Sequence, residues 1–457
     1  MERERFKSRL GFILLSAGCA IGIGNIWRFP YVVGDNGGGI FVLFYILFLI
    51  IIGIPLLSME YAIGRASGKS IMCAHKELKP GGRIWQIHGK TALIGNYILM
   101  MFYSTVSGWM SCYCFRYVTG GFDGVEKEEI SDKFTELLAS PGTMLLWMLI
   151  MVFAGFFICS LGLQKGVEKI TKFMMIALLG LIIILAVHSL TLPGGSEGLK
   201  FYLYPDVKRI RDVGLFPVLV AAMNQAFFTL SIGIGSMMIF GSYMDKEKSL
   251  LGEAITVSAL DTFVAITAGL IIFPACFAYN VSPDSGPSLV FMTLPNVFGN
   301  MPGGRIWGSL FFLFMTFASL STLIAVFENI MACCMDEFGW SRKKTAVLNF
   351  FIVGIGSLPC VFGFNIWSNF QPLGNGTTVL DLEDFIVSNL ILPIGSILIL
   401  LFCTLKSGWG YKNYLREVNQ GTGMKMTENK WVRRYFQFIV PLLIALLIVY
   451  GAAAIFK

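Results

Sequence analysis

Ser321 and Thr322 follow Ala318 at i+3 and i+4 in a long apolar run, so one helical face carries two hydroxyls beside a backbone carbonyl. Hard oxygen donors of this kind suit a hard cation. The competing reading is that the hydroxyls only back-bond to their own helix, a common use of Ser and Thr there. Asp261 stands in another apolar run, and a carboxylate at membrane depth is a functional candidate by default. Tyr103 falls near the middle of a third run, where its hydroxyl needs a partner. The tetrapeptide Ile-Gly-Ile-Gly occurs at 21–24 and again at 232–235. Paired glycines break a spanning helix, and free amides around Gly22 and Gly24 at a half-helix N-terminus suit a carboxylate. Irregular backbone at membrane depth is tolerated only where it lines a cavity. A matched pair of breaks in two halves of a chain points to a transporter's central site. Chance recurrence among 50 glycines is the alternative.

The elements that must hold these groups are membrane spans. Of 457 residues, 55% are hydrophobic and 14% charged, with a mean hydropathy of +0.71, a composition that would aggregate in water. Eleven apolar segments of spanning length are expected, at 10–34, 39–62, 88–118, 142–161, 167–190, 214–243, 250–278, 305–334, 342–362, 381–404 and 434–456. Basic residues gather after the even-numbered spans. By the positive-inside rule the N-terminus is cytoplasmic, and the odd count puts the C-terminus outside, in a multi-pass protein of the cell membrane. The net charge of +7 is therefore a topology signal and not a nucleic-acid signal. The basic start runs into span 1 without a small-residue cleavage site, so no cleaved signal peptide is expected.

The two breaks lie in spans 1 and 6, dividing the first ten spans into two sets of five. An odd number per set inserts the second upside down. The expectation is an all-α, single transmembrane domain over 1–457, with one inverted repeat at 1–190, the other at 214–405 and an eleventh helix at 434–456. Spans 1 and 6 are expected to be unwound at mid-membrane. No HExxH, GxSxG or Walker A lysine occurs, the three histidines (His75, His88, His188) are scattered, and the 10 cysteines show no paired-CxxC spacing. Enzyme activity is not expected, and the cysteines read as small core residues.

The string RLGFILLSAGCAIGIGNIWRFPY at 9–31, followed by NGGG at 36–39, resembles the neurotransmitter:sodium symporter family, prokaryotic branch. QAFFTLSIGIGS at 225–236 matches the same family independently, and further matches in spans 3, 7, 8 and 10 extend the resemblance over nearly the whole chain. What it implies is a sodium-coupled symporter that takes up a hydrophobic amino acid by alternating access. Amine-transporting relatives carry Asp at the place of Gly22, so glycine here leaves room for a substrate's own carboxylate. Tyr103 resembles the tyrosine that binds that carboxylate. The ammonium would lie against Ala20, Phe228, Thr229 and Ser231. The pocket implied by the resemblance adds Gly22, Gly24, Leu99, Met100, Phe228, Ile234, Thr322 and Val326, apolar apart from one hydroxyl.

The resemblance also implies two sodium sites. The first would comprise Ala20, Asn25, Thr229, Asp261 and the substrate carboxylate, and the second Gly18, Ile21, Ala318, Ser321 and Thr322. Because the substrate completes the first site, the two affinities would be reciprocally linked. Arg28 and Asp384 resemble an outer gate steadied by Gln225, with Phe228 and Tyr103 closing over the substrate. Arg3 and Asp336 resemble an inner gate supported by Tyr243. Asp261 departs from the Asn of many relatives. Ala265 stands where chloride-dependent relatives have Ser, so chloride independence is expected, with Asp261 exchanging sodium for a proton. Gly166 is followed ten positions on by Ile176, where some relatives have a Pro that lets span 5 unwind. The alternative on the same fold is a non-transporting amino acid sensor. The oligomeric state and the identity of the amino acid do not follow from the sequence.

Overall fold

In the computed structural model, described for residues 3–125, 127–279, 289–374 and 376–455, the expected spans are helices. Among the described residues nine are long and apolar enough to cross a membrane: Gly39–Ser67, Arg83–Thr119, Pro141–Ser160, Leu163–Leu190, Leu250–Ala278, Gly304–Phe338, Arg342–Phe362, Val379–Thr404 and Lys430–Gly451. These are spans 2 to 5 and 7 to 11. Span 1 is the pair Arg9–Ala20 and Gly24–Asp35, bent by 55° at the first glycine break. Span 6 is likewise two pieces, Leu215–Thr229 and Ser236–Ser242. Span 3 begins at Arg83, five residues before the expected start, because its first turn is polar yet still helical. The short helices Ile71–Leu78, Lys127–Ala139, Gly195–Leu203 and Tyr411–Val418 in the connections were outside the apolar pattern.

Burial orders the bundle. The most apolar window of span 3 is 78% buried and that of span 8 is 72%, against 22% for span 11. Spans 3 and 8 pack on each other along much of their length and form the centre; span 11 is peripheral. Close approach depends on small residues, as expected where lipid removes the hydrophobic drive between helices. A β-carbon on Gly64 of span 2 would run into the backbone of Met238 in span 6.

The breaks stay ordered because side chains satisfy their backbone. At the second, Ser231 (φ 49), Gly233 (φ 107) and Gly235 (φ 74) take left-handed conformations. Gly233 donates to Glu60 Oε1 at 2.7 Å and Met238 donates to Glu60 Oε2 at 3.2 Å. The Gly233 carbonyl meets His88 Nε2 at 3.0 Å, and the Ile234 carbonyl accepts from Asn96 at 2.9 Å. Unpaired amides and carbonyls at this depth would each cost several kcal/mol. Span 5 starts with a wide π turn, Leu163–Glu168, after Gly162 at φ 94.

Candidate functional site: two oxygen clusters beneath a cavity

Two clusters of oxygen atoms hang on the first break. Ser321 Oγ lies 3.0 Å from the Gly18 carbonyl and 2.8 Å from that of Ala318. Thr322 Oγ1 lies 3.1, 3.3 and 3.4 Å from the carbonyls of Gly18, Ile21 and Ala318. The hydroxyls thus bridge from span 8 to span 1 as well as back-bonding to their own helix. Five oxygens converge from two helices, a hard donor set that fits sodium.

The second cluster lies on the other side of the break. Asn25 donates to Asp261 Oδ1 at 2.8 Å, and Thr229 donates to Asp261 Oδ2 at 2.8 Å. Gly22 donates to Asn25 Oδ1 at 3.3 Å. Asp261, Asn25 and Thr229 are buried, and one carboxylate ties spans 1, 6 and 7 together. Among the described residues, no three His, Cys, Asp or Glu side chains gather as a metal cluster. Carbonyls, hydroxyls and one carboxylate are what these clusters offer a cation.

Between them sits a cavity of about 30 Å³ lined by Ala20, Gly22, Gly24, Leu99, Tyr103, Phe228, Thr229, Ser231 and Thr322, all expected positions. Cys19 and Leu392, which the sequence reading did not name, complete its wall. Met100, Ile234 and Val326 are fully buried but not on that wall, so they pack behind it. The Ile23 amide donates to the Tyr103 hydroxyl at 3.2 Å. Gly24, Tyr103 and Phe228 also bound a larger outer cavity of about 370 Å³ that reaches exposed Asp381.

Arg28 and Asp384 both line the outer cavity, yet they form no ion pair in this conformation. The Arg28 guanidinium lies over the Phe228 ring at 4.2 Å, and Asp384 accepts from Ser388 at 2.7 Å. The expected support of Arg28 by Gln225 also needs correcting. The Gln225 amide turns to the Gly24 carbonyl at 3.4 Å, an oxygen that also accepts from the Phe29 amide in the wide π turn after the break.

The opposite face is tied shut. Arg3 pairs with Asp336 at 2.9 Å, and Asp336 also accepts from the Ser70 amide at 2.7 Å. Tyr243 lies under the Arg3 guanidinium and donates to Glu328 at 2.8 Å. The sequence reading missed the rest of this network. Arg342 pairs with Glu328 at 2.7 Å and with Glu4 at 3.1 Å, Arg9 with Glu253 at 2.7 Å, and Glu168 accepts from the Lys7 amide at 2.9 Å. Glu60, Glu253 and Glu328 are acids buried in apolar spans, so the rule that picked out Asp261 applies equally to them. The arrangement is a central cavity open toward one face and sealed toward the face that carries the N-terminus.

The profile of the sodium:neurotransmitter symporter family matches residues 3–124 and 125–456. The sodium-dependent transporter YhdH of Bacillus subtilis, itself uncharacterized, is 34% identical over 96% of this chain and 96% of its own length. The sodium-dependent serotonin transporter of Drosophila melanogaster is 28% identical over 83% of this chain and 68% of its own. Among solved structures, MhsT in complex with L-phenylalanine is 37% identical and superposes with a TM-score of 0.88, covering 98% of this chain and all of that one.

Proposed function

The chain belongs to the sodium:neurotransmitter symporter family, and from that premise we propose that it takes up a hydrophobic amino acid, aliphatic or aromatic, together with sodium. The observation that carries this reading is the packing at Gly22. A β-carbon there would stand 2.5 Å from the Tyr103 hydroxyl and 2.7 Å from Thr322 Oγ1, so any side chain would have to displace both, and glycine leaves the place to a substrate's own carboxylate. The apolar remainder of the wall, Leu99, Phe228 and Leu392, suits a hydrophobic side chain. The similar structure that holds L-phenylalanine supports the same class.

In this reading Ala20, Asn25, Thr229 and Asp261 hold one sodium, completed by the substrate carboxylate. Gly18, Ile21, Ala318, Ser321 and Thr322 hold the other. Substrate draws Tyr103 and Phe228 together, and Arg28 leaves Phe228 to meet Asp384, closing the outer cavity. The Arg3–Asp336 pair then releases, and the halves 1–190 and 214–405 rock about the central site within the single domain. The N-terminus lies in the cytoplasm, the C-terminus outside, and the membrane is the cell membrane. Transport needs no chloride, and Asp261 returns with a proton.

Uptake of labelled amino acids into proteoliposomes, with a sodium gradient or with potassium alone, tests the reading. Concentrative uptake that needs sodium is expected. Saturable binding without accumulation would identify the sensor alternative instead.

A further inference from the structure

His75 and His88, on consecutive helices, meet in the fold with ring centres 5.1 Å apart. His75 belongs to the short helix Ile71–Leu78 outside the spans, and His88 to the first turns of span 3. Both are buried, at 0% and 2% exposure. His75 has no hydrogen-bond partner outside its own helix, where the Ile71 carbonyl lies against the ring, and Nδ1 of His88 has none. His88 Nε2 has one, the Gly233 carbonyl in the binding segment of span 6. Glu60 holds the amide of the same Gly233, so a carboxylate and an imidazole grip the residue on both sides.

The helix that carries His75 is also fastened to the inner gate. Ser70, its N-cap, donates its amide to Asp336, the acid paired with Arg3. Ile71 in its first turn packs where a β-carbon on Gly235 would have to go. A continuous set of contacts therefore runs from the Arg3–Asp336 pair through residues 70–75 to His88 and Gly233. We propose that His75, packed on His88, is a pH-sensitive link between the inner gate and the binding segment of span 6, such that acid favours opening on the N-terminal face. The proposal rests on the alternating-access reading above.

Its physical basis is the shortage of partners. Around His75 the neighbouring elements present His88 from span 3 and the Phe402 ring, 4.6 Å away, from span 10. On its own helix lie the Ile71 carbonyl and Cys73, whose thiol turns to Glu337. Glu60 is reached only through Gly233. With no carboxylate against the ring, burial and the neighbouring His88 push the His75 imidazole down to about 3. The closed state therefore keeps it neutral, whereas lifting the helix would expose it to water, where a histidine titrates near ~6.5. A proton is bound by the open state and not by the closed one, so the open state gains as pH falls through that range. Between pH 7.5 and 5.5 the gain is about tenfold.

Hydrogen exchange read by mass spectrometry on peptides covering 71–78 tests this on the purified full chain, without substrate or transport. After correction for the intrinsic pH dependence of exchange, protection in the native chain should fall about tenfold from pH 7.5 to 5.5. In His75→Phe and in His75→Gln, neither of which titrates, it should stay constant. A native chain with unchanged protection would overturn the proposal, as would either folded variant that keeps the native pH response. Because the readout is independent of uptake, its failure is distinct from failure of the transport reading.

Discussion

The Cα of Gly22 faces the hydroxyl of Tyr103 so closely that a β-carbon added to Gly22 would stand 2.5 Å from it. In the transport reading this glycine limits the width of the central cavity and leaves room for a substrate carboxylate. Gly22→Ala should reduce amino acid affinity by tenfold or more, about 1.4 kcal/mol, by displacing Tyr103 and Thr322 together. Amines lacking the α-carboxylate should compete poorly with the native chain. Competition against a labelled amino acid reads both effects; equal competition by an amino acid and its amine would refute the assignment.

A second expectation concerns Glu60, which accepts from the amides of Gly233 and Met238. Glu60→Ala leaves two buried donors in the binding segment without a partner, at about 1–3 kcal/mol each. Thermal unfolding in detergent should show a marked loss of stability. Glu60→Gln keeps one accepting oxygen and should fall between the two. A Glu60→Ala protein as stable as the native chain would mean that the segment does not depend on this carboxylate.

The inner gate offers a third. Arg3 and Asp336 are only 21% and 9% exposed at their side chains, so removing one partner strands a largely desolvated charge and costs more than breaking a surface pair. Asp336 additionally holds Ser70, which Arg3 does not touch. Asp336→Ala, which removes both accepting oxygens, should therefore open the N-terminal face more than Arg3→Ala. Hydrogen exchange across residues 3–8 and 70–78 measures the order; equal effects would show that the Ser70 contact carries nothing.

Asn25, Thr229 and Asp261 lie far apart in sequence; Asp261 drew notice as a mid-span acid, whereas Asn25 and Thr229 were named only through the family resemblance. Helix positions were readable because apolar length is a strong signal in a membrane chain. What escaped was whatever depends on how one span faces another. The histidines looked scattered because residues 75 and 88 sit on different elements with no common period. Cys19 and Leu392 carry no chemical signature, and only packing puts them on the cavity wall. Arg28 and Asp384 were read as a pair, and the structure gives them different partners. Here the guanidinium rests on Phe228 instead.

The last prediction concerns Asp261. Its two carboxylate oxygens accept from Asn25 and Thr229, so the residue that would otherwise help hold an anion, Thr229, is already committed to a fixed negative charge. The buried Tyr45 hydroxyl lies against the same carboxylate, Gln225 keeps an amide oxygen without a hydrogen-bond partner, and Ala265 supplies no hydroxyl. Uptake should therefore continue at an undiminished rate when gluconate replaces chloride. Once sodium and substrate depart, a bare carboxylate in an apolar core is costly, and a proton removes the charge. Substrate-driven proton efflux, followed with a dye inside the vesicles, should accompany uptake and vanish in Asp261→Asn. Adding Ala265→Ser to that variant should confer chloride stimulation, since the fixed charge has gone and a hydroxyl has been restored. Chloride stimulation of the native chain would refute the first expectation, and uptake without proton efflux would refute the second.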